Sequence, residues 1–413
     1  MSTIDHLIHK VHFGSDNESR SAAQEIRQLA EAQGARPASI HELYLARGRG
    51  EIPSIFTVPA MNLRGLSYLT AQAAFIAAEH TNTGLLIFEL ARSEMKYTAQ
   101  PPHVFASSIL AAAVKTGWQL PVFIQGDHVQ PKAAAPGQIK EGEQAALENL
   151  IREEIAAGFY NIDLDGSTLV DSSQTSHYDQ QRPNYTYTAN MAKLVRSLQP
   201  SGVIISLGCE IAEVGTHLSS AEQFEGFMTG FTELFGITDG LAKVAIQTGT
   251  SHGGSVNPDG TPGPMKVDFE TIRTLSRMAR ERYGMAGGVQ HGASTLSDEM
   301  FAKFPQHEAA EIHLSTGFQN AIMDHPAFPA ELKQQMYRWC DEHCADERKP
   351  EWTDAQFYIK TRKKAWQPFK EATWNLPEAT LSAFQQSLIE ECAHYYHQLN
   401  VINSQKTVSH YLR

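Results

Sequence analysis

Short apolar runs rich in β-branched and aromatic residues recur along the chain from residue 54, and stretches with helical periodicity separate them. The eight runs cover residues 54–62, 84–91, 121–128, 159–167, 203–213, 242–252, 287–294 and 310–316. This alternation is typical of parallel βα units, and eight units predict a closed (β/α)₈ TIM barrel. An open doubly wound sheet usually carries a glycine-rich phosphate turn after its first strand, and none follows Asn62.

Helical segments are predicted on both sides of the barrel. Two short helices precede it, over residues 19–33 and 39–47, the second with Ser39 as N-cap and Glu42 three residues later. Beyond about residue 320 the strand pattern stops, and aromatic-rich helical segments continue to the end of the chain. The predicted parts are an N-terminal helical extension (1–51), a barrel catalytic domain (52–320) and a C-terminal helical extension (321–413).

Most of the eight runs begin with apolar residues and end with polar or ionisable ones. These terminal residues are Asn62, Asp127, His128, Asp165, Glu213, His252, His291 and His313. In a TIM barrel the carboxyl ends of all strands meet at the face that carries the active site. We therefore expect these side chains to lie close together.

Three of these terminal residues are histidines: His128, His252 and His291. Three imidazoles with an open fourth position form a catalytic Zn²⁺ site, which can polarise a substrate oxygen. Any single one of the 18 histidines could instead cap a strand or bond within a loop, but three together at strand ends favour a metal site. Zn²⁺ is the predicted cofactor, with Co²⁺ or Mn²⁺ as substitutes.

Glycines follow two of these histidines, Gly253 and Gly254 after His252 and Gly292 after His291. Peptide N–H groups at glycines can approach an anion without obstruction by a side chain, and phosphate is the natural candidate. Turns at strand ends would also favour glycine.

Asp127 directly precedes His128. On a regular strand the two side chains would point to opposite faces, so only a bend at the strand end brings both to one site. There Asp127 could move a proton to or from a carbonyl oxygen. The alternative is that Asp127 caps a helix or orients a ligand histidine.

These segments together resemble the class II, zinc-dependent fructose-bisphosphate aldolase family over about residues 52–320. That family ends its third strand with an Asp-His pair and its sixth and seventh strands with His-Gly pairs. Asp127-His128, His252-Gly253 and His291-Gly292 match them. The resemblance implies that the three histidines bind the catalytic zinc and that Asp127 is the acid at the aldehyde-side oxygen.

The resemblance also reaches further carboxylates and phosphate ligands. The segment 164–167 is similar to the family's Ile-Asp-Gly-Ser strand end, and 213–215 is similar to its Glu-Leu-Gly element. Asp165 and Glu213 could thus support a second cation or a reoriented zinc, and Glu210 is the alternative match to Glu213. The implied substrate-binding and phosphate-binding residues are Asn62, Gly253, Gly254, Gly292 and Ser294.

Two elements depart from the family pattern. The Gly-Gly-Glu-Glu-Asp loop, which carries the family's proton-abstracting glutamate, is absent after Gly215, and Glu222 is the nearest candidate base. Ser219 or Ser220 followed by Gln223 could instead simply cap a helix there. On the eighth strand, the family's Asn-Ile-Asp-Thr phosphate anchor is replaced by residues 313–316, so the candidate phosphate ligands are His313, Ser315 and Thr316. The alternative for the histidine is that it packs inward and touches no ligand.

The composition favours a small partner. The net charge is −12 without a basic stripe, which argues against nucleic acid. No secretory signal or apolar span is visible, and four unevenly placed cysteines fit a reducing compartment, so we expect a soluble cytoplasmic protein with no membrane partner. One basic cluster, residues 362–364, could hold a distal phosphate, although most such triplets are solvated surface.

The predicted function is a lyase of carbohydrate metabolism, such as glycolysis. It would cleave or form a phosphorylated, fructose-bisphosphate-like ketose through a zinc-stabilised enediolate of dihydroxyacetone phosphate. The alternatives are an aldolase for a tagatose-type or sulfo-sugar-type ketose phosphate, a non-catalytic or regulatory barrel partner of an aldolase, and a metal-dependent hydrolase. We expect a homodimer or a higher homo-oligomer.

Overall fold

The computed structural model describes residues 3–212, 217–250, 256–261, 263, 265–293 and 296–412. Its centre is a barrel of parallel strands: β1 (Val58–Asn62), β2 (Ile87–Ala91), β3 (Val122–Val129), β4 (Asn161–Leu164), β5 (Ser206–Glu210), β6 (Lys243–Ile246), β7 (Gly288–Gln290) and β8 (Glu311–Leu314). Each strand pairs with its neighbours in the chain, and β8 pairs with β1. The barrel is therefore closed, which confirms the predicted (β/α)₈ fold.

Seven of the eight predicted runs contain one of these strands, and the run 121–128 contains all of β3 except its last residue, Val129. Several runs are longer than the strand, most clearly 203–213 and 242–252, which contain Ser206–Glu210 and Lys243–Ile246. The apolar-to-polar pattern continues past the carboxyl ends of the strands, so it does not mark where strand pairing ends.

Eighteen α-helices are found in the described ranges. They are α1 (Thr3–Phe13), α2 (Asp16–Gln33), α3 (His41–Gly48), α4 (Ser67–Thr81), α5 (Arg92–Thr98), α6 (Pro102–Thr116), α7 (Glu143–Ala157), α8 (His177–Leu198), α9 (Ala221–Phe235), α10 (Phe269–Tyr283), α11 (Asp298–Phe301), α12 (Lys303–Gln306), α13 (Thr316–Met323), α14 (Ala330–His343), α15 (Asp354–Thr361), α16 (Lys370–Trp374), α17 (Glu378–Gln398) and α18 (Gln405–Tyr411). None of them is both long and apolar enough to cross a membrane. Short 3₁₀ helices span Ser167–Leu169, Ala345–Glu347 and Arg362–Trp366.

The N-terminal extension closes the end of the barrel at which the strands begin. Helix α3 starts at His41, so the N-cap is Ile40 and not the predicted Ser39, whose hydroxyl oxygen accepts a hydrogen bond from the His41 N–H. Arg47 is fully buried and donates to the carbonyl oxygens of Ala286, Phe56 and Ala309, which precede β7, β1 and β8. One guanidinium thereby caps three backbone acceptors at this end of the barrel.

The C-terminal segments pack along the barrel and reach its opposite end. In α17 the Tyr396 hydroxyl donates to the carbonyl oxygen of Ala74 in α4. Trp366 lies directly on Gly65, in the loop after β1, where a Cβ atom would come within 2.3 Å of the indole ring. A larger residue at position 65 would displace the segment that holds Trp366 beside the barrel mouth.

Charged side chains fill the lower part of the barrel interior. Lys243 on β6 is 1% exposed, and its Nζ lies 3.0 Å from Asp163 Oδ1 and in contact with Glu311 Oε1. The same amino group donates to Gln125 Oε1 at 2.7 Å, and the Tyr44 hydroxyl of α3 donates to Glu311. Burial opposes the charge on Lys243, but the two carboxylates outweigh it and raise its pKa. Lys243 thus neutralises the charges of two buried acids, Asp163 and Glu311.

We predict that Lys243→Met destabilises the fold. The change leaves Asp163 and Glu311 buried without their cation, a loss of about 3–5 kcal/mol in the free energy of unfolding. Urea unfolding followed by circular dichroism measures it. As the control, Lys406→Met, at an exposed position on α18, should change stability by no more than about 0.5 kcal/mol. Equal stability of the two variants would contradict the assigned role of Lys243.

Candidate active site

A sharp bend at the end of β3 brings two adjacent side chains to one site. His128 has a φ of +47°, in the left-handed region, and the pairing of β3 with β4 shifts register between Gly126 and Val129. This bulge is the bend that the Asp127-His128 pair requires, since a regular strand would point the two side chains to opposite faces. Both side chains line the same cavity.

Two histidines and one glutamate converge beside this bend. Glu210 Oε1 lies 3.0 Å from His128 Nδ1 and 3.1 Å from His291 Nε2, and one potential ligand atom from each residue lies within 4.8 Å of the others. The imidazole centroids are 4.6 Å apart. The residues come from the ends of β3 and β5 and the position after β7. Of the two glutamates weighed from the sequence, Glu210 is the one that the described structure places here.

Five predicted site residues lie outside the described residues: Glu213, His252, Gly253, Gly254 and Ser294. Of the three predicted ligand histidines, the described structure therefore includes His128 and His291.

The donor set fits a divalent cation. Imidazole nitrogen and carboxylate oxygen are ordinary Zn²⁺ ligands. Burial lowers the pKa of His291 well below its usual value, and the neighbouring His313 and His128 lower it further, so His291 stays neutral with a lone pair to donate. Burial also opposes a charge on His128, but Asp127 and Glu210 outweigh it and raise the pKa of His128 well above its usual value. The acidic surroundings thus favour a positive charge at this point, which a dication would supply.

Asp165, predicted as a metal ligand, lies beside His128. Its Oδ2 is 2.9 Å from His128 Nδ1 and accepts a hydrogen bond from Gln130, while its Oδ1 accepts from the backbone N–H and the hydroxyl of Ser167. Asp165 thus faces the same ring nitrogen as Glu210, and its contacts fix the orientation of the His128 ring.

His313 lies inside the barrel and also lines the cavity. Its Nδ1 is 3.1 Å from Glu89 Oε2 and 3.4 Å from Asp127 Oδ1, and its Nε2 is 2.8 Å from Glu311 Oε1. Burial opposes protonation, but Glu89 and Asp127 outweigh it and raise the pKa of His313 well above its usual value. Both ring nitrogens of this predicted phosphate ligand therefore face carboxylates in the structure.

A cavity of about 590 Å³ opens above these groups. Five cationic side chains line it: Arg64, Arg92, Lys96, Lys132 and Lys363. Arg64 pairs with Glu94 and Arg92 with Glu143, whereas the three lysines make no ion pair among the described residues. Lys363 belongs to the basic cluster noted in the sequence and comes from the C-terminal part of the chain. The cavity therefore combines buried acids with lysines that form no ion pair among the described residues, which suits an anionic substrate.

The predicted substrate ligands that are described lie at or next to this cavity. Gly292 lines it with a φ of +69°, which favours glycine, and Ser315 lines it just before α13. Thr316 is the first residue of that helix and is buried. Asn62 lines the cavity and donates to Glu94, and its Oδ1 has no hydrogen-bond partner among the described residues. Three of these four residues, Asn62, Gly292 and Ser315, therefore line the cavity, whereas Thr316 lies next to it in the chain.

Glu222 is not part of this arrangement. It is exposed in the first turn of α9, where Ser220 and Gln223 form a capping box, and it does not line the cavity. The helix-cap alternative from the sequence is confirmed. The position of Glu222 does not support the prediction that it is the base, because a base must reach the proton that it abstracts.

Sequence reasoning missed the polar residues within the strands. Glu89, Gln125, Lys243 and Glu311 each stand inside a run of apolar residues, and all are buried in the barrel. An ionisable residue within an otherwise apolar strand was the available signal, because such a residue is rarely buried unless it is paired.

Comparisons with known proteins identify the family of this chain. A family model described as "Fructose-bisphosphate aldolase class-II" matches residues 54–401, and so extends past residue 320 into the C-terminal helices. A curated relative from Xanthobacter flavus, named fructose-bisphosphate aldolase, is 24% identical over 256 residues. That alignment covers 59% of this chain and 63% of the relative, so the chain spans less than two thirds of the relative's length.

Two solved structures share the fold. A probable tagatose 6 phosphate kinase from Sinorhizobium meliloti 1021 has a TM-score of 0.59 at 16% identity, covering 84% of this chain and 100% of that one. Fructose-bisphosphate aldolase from Campylobacter jejuni has a TM-score of 0.52 at 16% identity, covering 88% and 94%. At this identity the two structures support the barrel fold alone. Because the family match covers most of the sequence, this chain belongs to the class II fructose-bisphosphate aldolase family.

Proposed function

We propose that this chain is a metal-dependent aldolase that cleaves a phosphorylated ketose into dihydroxyacetone phosphate and an aldehyde, and catalyses the reverse condensation. The observation that carries the proposal is the convergence of His128, Glu210 and His291 beside Asp127 at the base of a cation-rimmed cavity. Membership of the class II aldolase family supports the same reaction.

The proposed metal is Zn²⁺, held by His128 and His291, with Glu210 beside them and His252 as the further ligand that the sequence predicts. Nitrogen-rich donor sets favour borderline transition metals over Mg²⁺. When bound, the cation would polarise the substrate carbonyl and stabilise the negative charge that develops on its oxygen.

The cavity walls would hold the substrate at both ends. The N-terminus of α13, with Ser315 and Gly292 beside it, presents backbone N–H groups and the positive end of a helix dipole, which suit a phosphate. Lys96, Lys132 and Lys363 line the same cavity and would favour a second anionic group on the aldehyde half. A bisphosphorylated ketose fits both features.

Asp127 would move the proton of the aldehyde half. Burial opposes its ionisation, but His128 and His313 outweigh it and hold the pKa of Asp127 well below its usual value. In cleavage the carboxylate takes the proton of the C4 hydroxyl, the C3–C4 bond breaks, and its electron pair moves toward the carbonyl. In condensation Asp127 returns that proton to the new hydroxyl group.

We predict that removal of the metal abolishes cleavage of fructose 1,6-bisphosphate. A chelator should stop release of dihydroxyacetone phosphate, and Zn²⁺, Co²⁺ or Mn²⁺ should restore it. Metal analysis provides a second measurement: His291→Ala should lose bound zinc, whereas His410→Ala, at an exposed position on α18, should retain it. Full turnover by metal-free protein would contradict the proposal, and absence of turnover with every metal and every ketose phosphate tested would favour a non-catalytic barrel.

We predict that Asp127→Asn binds metal and substrate yet loses cleavage. The amide preserves the shape of the side chain but cannot accept the hydroxyl proton, so kcat should fall by about 10²–10⁴-fold. Steady-state kinetics and metal content measured on the same preparation test this prediction. A kcat within about twofold of the unmodified protein would reduce Asp127 to a structural role.

A further inference from the structure

An aldolase of this kind needs a second proton-transfer group besides Asp127. Formation of the enediolate from dihydroxyacetone phosphate removes a proton from carbon, at a different atom from the hydroxyl that Asp127 serves. The family's glutamate-rich loop is missing from the sequence, and Glu222 is exposed on α9 away from the cavity lining. Among the described residues, the carboxylates that line the cavity are Glu89, Glu94 and Asp127.

Glu94 is fully engaged. Its Oε2 accepts hydrogen bonds from the Asn62 amide and the Ala91 N–H, and its Oε1 accepts from Arg64 and, at 3.4 Å, from Tyr97. Both oxygens of Glu94 are thus occupied by protein donors, and neither is left to approach a substrate proton. Its contacts instead hold the loops after β1 and β2 together.

One carboxylate oxygen of Glu89 has protein partners, and the other has no hydrogen-bond partner among the described residues. It lies on β2 and is 1% exposed. Its Oε2 accepts a hydrogen bond from Gln125 Nε2 at 3.0 Å and lies 3.1 Å from His313 Nδ1. Its Oε1 is buried and has no hydrogen-bond partner among the described residues, although the residue lines the cavity. An open buried carboxylate oxygen is costly, and a function at the cavity explains why it is retained.

From this geometry we propose that Glu89 is the catalytic residue that exchanges a proton with the hydroxymethyl carbon of dihydroxyacetone phosphate, an assignment that rests on the proposed aldolase function. In condensation the Glu89 carboxylate takes the proton from that carbon. The C–H electron pair becomes the C=C bond of the enediolate, and the carbonyl π pair moves onto the carbonyl oxygen. In cleavage the protonated Glu89 returns the proton to the same carbon, so no other reactant is required.

His313 places the two proton carriers side by side. Its Nδ1 faces Glu89 Oε2 at 3.1 Å and Asp127 Oδ1 at 3.4 Å. One imidazole nitrogen therefore holds Glu89, which would exchange the carbon-bound proton, next to Asp127, which would exchange the hydroxyl proton. Burial raises the pKa of Glu89 to about 8, a range in which a carboxyl group can both accept and release a proton near neutral pH.

Solvent exchange tests the assignment directly. The zinc-loaded protein is incubated with dihydroxyacetone phosphate in D₂O, and loss of the hydroxymethyl proton signal is followed by NMR. Glu89→Gln should slow the exchange by about 10²–10⁴-fold. Its zinc content and its affinity for dihydroxyacetone phosphate, measured by calorimetry, should stay close to those of the unmodified protein. Glu153→Gln, at an exposed position on α7, is the control and should exchange normally.

Two further variants separate catalysis from structure. If Glu89 only holds His313, the amide oxygen of Glu89→Gln still accepts hydrogen bonds and exchange survives, which overturns the proposal. Loss of exchange in Glu222→Gln with exchange retained in Glu89→Gln also overturns it. Glu89→Asp keeps an ionisable group displaced by about one methylene and should exchange faster than Glu89→Gln but at least about tenfold slower than the unmodified protein. This comparison with the unmodified protein decides the question if Glu89→Gln does not fold.

The outcomes also distinguish this inference from the proposed function. Exchange and cleavage by the unmodified protein, both unaffected in the Glu89 variants, would remove Glu89 and leave the aldolase intact. Binding of dihydroxyacetone phosphate without exchange or cleavage by the unmodified zinc-loaded protein would overturn both.

Discussion

The dry interior of a closed barrel requires that each charge placed inside it be compensated. Lys243 meets this requirement at the lower level, where it neutralises Asp163 and Glu311. His313 continues the network upward, because its Nε2 faces Glu311 and its Nδ1 faces Glu89 and Asp127. Cationic and acidic side chains therefore alternate from Lys243 through Glu311 and His313 to Glu89 and Asp127. The positions of these last two carboxylates depend on this network.

At the carboxyl ends of the strands, around His128, acidic side chains outnumber cationic ones. Asp127, Asp165 and Glu210 surround His128, and the resulting field favours a positive charge at that imidazole. A divalent cation between the histidines would satisfy the same field while using neutral imidazoles as ligands. The proposed metal site and the ion pairs of the barrel core are in this sense one electrostatic arrangement.

The extensions outside the barrel strands contribute to both ends of this arrangement. Helix α3 inserts Tyr44 against Glu311 from below and caps strand carbonyls with Arg47. At the other end, Trp366 packs on Gly65, and Lys363 from the same short helix lines the cavity. A barrel without these segments would have uncapped backbone acceptors at its base and one cation fewer at its mouth.

The sequence by itself determined the barrel and the histidine pair that the structure places together, because both are local. Strand periodicity is set by neighbouring residues, and Asp127-His128 and His291-Gly292 are recognised from adjacent positions. It did not show the partners of Glu89, which lie 36 and 224 residues away at Gln125 and His313, or that Glu222 is exposed in the first turn of α9 and does not line the cavity. The contacts of Glu89 form only when the barrel closes, because closure brings β8 against β1 and directs alternate residues of every strand into one interior.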